Sequence, residues 1–169
     1  MSTIIREIWV DASKNVVWDV LADFGNIYRF SPTVVKSYSS NDKPSGLGAE
    51  RHLELSFEGS SGYERIIEWH EGQKMKLELY DGQKMPPWKS AIAEFSVREH
   101  KGGTMVRGTI NYEMKFGPIG ALMDRFMIKP QFGEAFGSQL AGLKHHVETG
   151  EEVTKLEGLP MDQLVAVAS

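Results

Sequence analysis

The stretch FGPIGALMDRFMIKPQFGEAFGSQLAGLKHHVETG, residues 116–150, decides the fold. Within it Leu122, Phe126, Phe136, Leu140, Leu143 and Val147 fall at helical spacings, the stripe of an amphipathic helix. Pro118 stands where a first helical residue tolerates proline, because its missing N–H needs no partner there. Gly150 stands where a helix stops in the left-handed conformation, and His145 and His146 occupy its last turn. At roughly 1.5 Å per residue this segment forms a rod of about 45 Å. A stripe of that length needs a partner surface of similar length, which the rest of the chain must supply.

Going back to the start, residues 2–11 alternate in a strand pattern, with Ile4, Arg6, Ile8 and Val10 on one face and Ile5, Glu7 and Trp9 on the other. Ser13 is placed as an N-cap for a helix carrying Val16, Val17, Leu21 and Phe24 that Gly25 ends. A second short helical piece, 26–30, stops before Pro32. From Val34 to Lys115 the period changes to two, giving strands at 34–40, 49–58, 63–70, 74–80, 90–99 and 104–115. Short breaks rich in Gly, Asn, Asp and Pro separate them, so they read as an antiparallel meander with one buried face. The expected architecture is α+β: a seven-stranded antiparallel curved sheet wrapped around the long C-terminal helix, with two short helices after the first strand. Residues 1–150 form one ligand-binding domain and 151–169 a tail, either loosely held with a short helical tip or docked on its own or a partner subunit.

Composition narrows the function. The chain has 169 residues, a net charge of -4 and scattered basic residues, which argues against nucleic acid as a partner. It has no cysteine, hence no disulfide, thiol nucleophile or thiolate metal site, consistent with a reducing cytoplasm. Residues Met1 to Ile8 lack the pattern of a signal peptide, and no apolar run is long enough for an integral membrane segment. A cytoplasmic location is the expectation. His52, His70 and His100 are isolated, and the adjacent His145 and His146 cannot form an i, i+4 ligand pair, so no metal site is expected. No cofactor-binding motif, serine-hydrolase elbow or phosphate-binding loop occurs.

Several motifs carry a resemblance. Val10-Asp11-Ala12-Ser13 followed by residues 16–24, VVWDVLADF, is similar to the opening strand-to-helix signature of the START-like (SRPBCC) helix-grip superfamily, in its polyketide cyclase/dehydrase and lipid-transport branch. Ser13 stands where many members have proline. Gly46-Leu47-Gly48-Ala49-Glu50-Arg51 resembles the family's Gly-x-Gly-x-x-Arg entry to its third strand, and Tyr63-Glu64-Arg65-Ile66 its Glu-Arg-Ile start of the fourth. Pro86 with Trp88, and Gly117-Pro118 before the long helix, also match. The resemblance covers residues 3–148 and implies a cavity between sheet and helix that holds hydrophobic small molecules or lipids. Residues 45–49 resemble the gate loop of the related plant hormone receptors, but Asp81–Pro87 lacks their His-Arg-Leu latch, so that function is rejected.

The candidate ligand-binding residues are Arg6, Tyr28, Phe30, Arg51, Leu53, Leu55, Glu64, Leu77, Leu79, Phe95, Tyr112, Met123, Phe126, Met127 and Phe136. Methionines and aromatics crowd the long helix, Phe116 and Phe132 among them, and a flexible thioether adapts to varied apolar ligands. Arg51 shares a strand face with Leu53 and Leu55, and Glu64 is its natural partner, because a buried arginine needs one. Loops 41–48 and 81–88 are expected to flank the cavity mouth. Glycines at 120, 133, 137 and 142 with Pro130 weaken the helix, and a kink or break is expected at 126–133. The expected function is binding or transport of a lipid, isoprenoid or polyketide-like molecule. The alternative is a cyclase, dehydratase or isomerase with Glu64 or Tyr112 as acid or base and Arg51 or Arg6 stabilising an enolate. A homodimer or other partner contact is expected, if anywhere, at the outer face of Ile5 and Trp9 or at the 159–168 tail.

Overall fold

A computed structural model describes residues 1–57 and 59–168. Its elements are β1 (Ser2–Val10), α1 (Lys14–Ala22), a 3-10 segment (Phe24–Arg29), β2 (Val34–Ser39), β3 (Glu50–Leu55), β4 (Ser61–His70), β5 (Lys74–Gln83), β6 (Trp88–His100) and β7 (Gly103–Met114). There follow α2 (Gly117–Met123), a π-helical turn (Asp124–Ile128), α3 (Lys129–Thr149), a 3-10 turn (Met161–Gln163) and β8 (Val165–Val167). The strands form one antiparallel sheet in the order β2-β3-β4-β5-β6-β7-β1-β8. Every strand expected from alternation is present, with ends shifted by a few residues. The strand expected over 49–58 ends at Leu55, and Glu58 lies outside the described residues.

The sheet has eight strands, not seven. The tail supplies the eighth by pairing Val165, Ala166 and Val167 with Glu7, Arg6 and Ile5 on the open edge of β1. That pairing closes the open edge of β1 and sets Val167 beside Ile5, which is 9% exposed. Val153 is buried as well and donates its N–H to the Arg29 carbonyl. The tail is therefore docked on its own sheet. Register shifts in β2/β3, β4/β5 and β6/β7 mark bulges, which add twist and help the sheet curl.

The concave face and the helices enclose one core. Ile8, Val10, Ile66, Leu77, Val106 and Ile110 come from the sheet, and Phe136, Leu140 and Leu143 from α3. From α1, Val17, Trp18 and Leu21 are buried. Ser13 holds the N-cap position with extended backbone, but its hydroxyl makes no capping bond. The helix ends at Ala22, before Gly25.

The long helix is irregular where Pro130 demands it. Pro130 cannot donate to the Phe126 carbonyl, and upstream the hydrogen bonding widens, with the Lys129 N–H reaching the Asp124 carbonyl five residues back. The backbone stays right-handed through this turn, so α2 and α3 are joined by a π-bulge at 124–128 rather than by a break. One added residue rotates the following face by about 100°. For that reason Leu122 and Phe126, 61% and 68% exposed, do not continue the buried stripe of Phe136, Leu140 and Leu143. Gly150 ends α3 in the left-handed conformation, as expected.

Candidate ligand-binding site

A cavity of about 540 Å³ lies between the concave sheet and α3, within the size range of small-molecule sites. Its sheet wall carries Leu53, Leu55, Leu79, Ala93, Phe95 and Ile110, and its helix wall Ile128, Phe132, Ala135 and Phe136. The space exists because α3 leans to one side. Gly142 lies so close to Phe30 that a Cβ there would stand 1.9 Å from the Phe30 carbonyl oxygen. Gly133 packs on the Arg6 guanidinium, where a Cβ would stand 2.8 Å from Nη2. These glycines press the helix onto β1 and the 3-10 segment. The sheet then curves away beneath the other flank of α3, over β3 to β6, and the gap is the cavity. The glycines expected to weaken the helix are also its points of closest contact.

The mouth follows from strand parity. In a meander, successive connections alternate between the two ends of the sheet. The β3–β4 and β5–β6 connections share an end with Pro32, and Ser56, Phe57, Lys84, Met85 and Pro86 line the cavity there. The β2–β3 connection, residues 41–48, lies at the opposite end and contributes nothing to the lining. The expectation for 81–88 thus agrees with the lining and the one for 41–48 does not. Leu156 from the tail adds a further apolar group to the wall.

The candidate residues divide. Leu53, Leu55, Glu64, Leu79, Phe95 and Phe136 line the cavity together. Phe30 and Leu77 are buried in solid core, and Tyr28 is half-buried against it. Arg6 lies beneath Gly133 and Gly137 and donates to the Ile5 carbonyl at 2.9 Å. Met123, Phe126 and Met127 point outward, at 36%, 68% and 54% exposure. Their rotation is fixed by the opposite face of the same segment, where Gly120 is buried and Asp124 accepts hydrogen bonds from Tyr112 Oη and Ser2 Oγ, each at 2.5 Å. Tyr112 is therefore committed to Asp124 outside the cavity. Burial first, and the Asp124 carboxylate second, push its phenol well above the ordinary tyrosine range, so it serves poorly as an acid or base.

Arg51 stands behind Glu64 rather than in the cavity. The two are cross-strand partners in β3 and β4. Arg51 Nε donates to Glu64 Oε2 at 2.6 Å, Nη2 pairs with the same oxygen, and Nη1 donates to the Phe24 carbonyl at 2.7 Å. The guanidinium also lies 4.0 Å from the Phe24 ring centroid. Burial lowers the Arg51 pKa and Glu64 opposes that shift. Glu64 lines the cavity, and among the described residues no hydrogen bond engages its Oε1. The site thus offers one oriented carboxylate oxygen on the sheet side of a largely apolar chamber, whose polar lining otherwise includes Lys84 and Ser56 in the mouth connections and Gln131, Glu134 and Gln139 on α3. No cluster of metal-ligating side chains occurs among the described residues.

Sequence reasoning left Ile128 and Ala135 off the helix wall, and Ala93 and Ile110 off the sheet wall. The signal was available: stepping back by fours from Phe136 reaches Phe132 and Ile128, and Ala93 precedes Phe95 on the same strand face.

A curved antiparallel sheet gripping a long C-terminal helix, with two short helices closing one end, defines the START-like helix-grip class. The chain belongs to the family described as polyketide cyclase / dehydrase and lipid transport, whose model matches residues 1–148. No curated protein matches the sequence. Among solved structures the chain is similar to a protein of Thermus thermophilus (17% identity, TM-score 0.73, covering 88% of this chain and 99% of that one). It is also similar to the major latex-like protein 151 of Panax ginseng (14% identity, TM-score 0.66, covering 86% and 96%). A third is the di-domain ARO/CYC BexL from the BE-7585A biosynthetic pathway (21% identity, TM-score 0.66), of which the chain spans 47% while 88% of this chain is covered. At these identities the likeness concerns the fold.

Proposed function

We propose that this protein binds and carries a hydrophobic small molecule, a lipid, isoprenoid or polyketide-like compound, in the cavity between sheet and α3. The observation that supports this reading most is a chamber of about 540 Å³ with aliphatic and aromatic walls and a carboxylate, Glu64, set into the sheet side. Apolar burial supplies affinity, and Glu64 Oε1 orients the ligand by accepting a bond from a hydroxyl. The family equally includes cyclases and dehydratases. A cyclase would use Glu64 as base beside a cation that stabilises an enolate. Arg51 is turned to Glu64 and the Phe24 carbonyl, Arg6 lies under the helix, Tyr112 is held by Asp124, and Lys84 sits in the β5–β6 connection at the mouth and is already engaged, so the carrier reading is the better supported.

Glu64→Gln separates the two. Titration with a hydroxylated apolar fluorophore is expected to show saturable binding to the wild type and about tenfold weaker binding to the variant. A variant that binds unchanged but loses turnover of a polyketide-type substrate would assign the enzyme instead.

A further inference from the structure

The segment from Phe116 to Met127 is amphipathic in the reverse sense. Its inward face carries Gly120 and Asp124, both buried, while Phe116, Ile119, Leu122, Phe126 and Met127 are 67%, 70%, 61%, 68% and 54% exposed. Spacings of three and four make these side chains neighbours, so they form one continuous apolar ridge. Over residues 115–129 the exposed charge has one sign. Lys115, Arg125 and Lys129 are exposed, and the single acid of the segment, Asp124, is 5% exposed and bonded to Tyr112 and Ser2. The chain as a whole carries -4, so this basic border stands out against an acidic molecule. The ridge is also continuous with the cavity: Ile128, the next residue, and Phe132, one turn beyond it, line its helix wall.

We propose that this ridge docks on an anionic lipid surface. The apolar side chains enter the acyl boundary, and Lys115, Arg125 and Lys129 meet the headgroup phosphates, as in amphipathic helices that lie in a membrane interface. Docking brings the helix wall of the cavity toward the bilayer. The inference goes beyond the cavity reading and does not require it, because the ridge side chains Ile119 and Phe126 lie outside the lining.

The test is co-sedimentation of the full chain with vesicles of phosphatidylcholine containing phosphatidylglycerol, against vesicles of phosphatidylcholine alone. The wild type is expected to pellet with the anionic vesicles and to be released by high salt. Ile119→Asp/Phe126→Asp is expected to lower partitioning about tenfold, and Arg125→Glu/Lys129→Glu several-fold, with the thermal midpoint retained because all four side chains are exposed. Wild type that stays in the supernatant with both vesicle types overturns the proposal, as do variants that bind like the wild type. A dimer seen by sedimentation velocity without vesicles, and dissociated by Ile119→Asp/Phe126→Asp, would give the ridge to a second copy and also overturn it. Uptake of an apolar fluorophore in vesicle-free solution is read in parallel, so that failure of the cavity reading shows up separately.

Discussion

Glu64 and Arg51 share one ion pair but face different surroundings. Glu64 looks into the cavity, while Arg51 is sealed between Phe24 and the sheet, 3% exposed. Removing the guanidinium would leave a buried carboxylate without its cation and take a donor from the Phe24 carbonyl. Arg51→Ala is therefore expected to destabilise the fold by about 3–5 kcal/mol, read as a fall in the urea midpoint. Glu64→Gln keeps an oxygen for Arg51 and should cost clearly less. A midpoint for Arg51→Ala within error of the wild type would mean that the pair is not structural. The pairing itself was legible in the sequence, since a buried arginine needs a partner and Glu64 lies on the next strand, whose antiparallel register sets it opposite Arg51. The third contact was not. Whether Arg51 points into the cavity or back to Phe24 depends on the path of the 3-10 segment 24–29, which no periodicity encodes.

At the scale of elements, α3 shows where glycine outweighs helix propensity. Alanine favours a helix interior by roughly 0.5–1 kcal/mol over glycine, yet a Cβ at Gly142 would stand 1.9 Å from the Phe30 carbonyl oxygen. Gly142→Ala is expected to lower stability by about 1–3 kcal/mol in thermal or chemical denaturation, and a stabilised variant would contradict this packing. On β4, Glu68 accepts from Lys74 and Lys76 at 2.7 Å each and lies 3.0 Å from His70. Bonds from those lysines hold its carboxyl at about 2, below the ordinary 4.5. A depressed carboxylate stabilises the fold above its unfolded pKa, and that contribution is lost as pH falls from 4.5 toward 2. The gap in thermal midpoint between wild type and Glu68→Gln should therefore be largest near neutrality and close over that window. A gap that does not change with pH would contradict the assignment. The strands and α1 were readable because period two and period 3.6 survive along each of them. Pro130 marked an irregularity near 126–133 but not its kind, and the helix phase was not readable across 124–128, because nothing in composition tells a π-bulge from a kink or a break. The one residue that the bulge adds moved Met123, Phe126 and Met127 from the expected cavity wall to the outer surface.

For the whole molecule, the order strand, two short helices, six strands and a long helix was enough to reach the helix-grip architecture, and the family match over residues 1–148 agrees with it. The mouth of the cavity was legible in principle, since strand parity alone places loop 41–48 and loop 84–87 at opposite ends of the sheet. The eighth strand was harder to see. Three residues pairing with the edge of β1 carry too short a pattern to separate from a loop, although apolar residues on both faces of β1 signalled that something covers it. Among the described residues no helix is long and apolar enough to cross a membrane, and the bilayer contact proposed above is a surface one, made by the 116–127 ridge.

On the proposed function, the space under α3 is kept for an apolar guest. Ala135 lines that space from the helix side, and a tryptophan there would occupy it without disturbing the Gly133 and Gly142 contacts. The direct measurement is native mass spectrometry of the protein purified from its own host, alongside Ala135→Trp prepared in the same way. The wild type is expected to carry one apolar small molecule and the variant to be folded and to have lost it. A wild type that is ligand-free and takes up no added apolar compound, or a variant that retains the same guest, would contradict it.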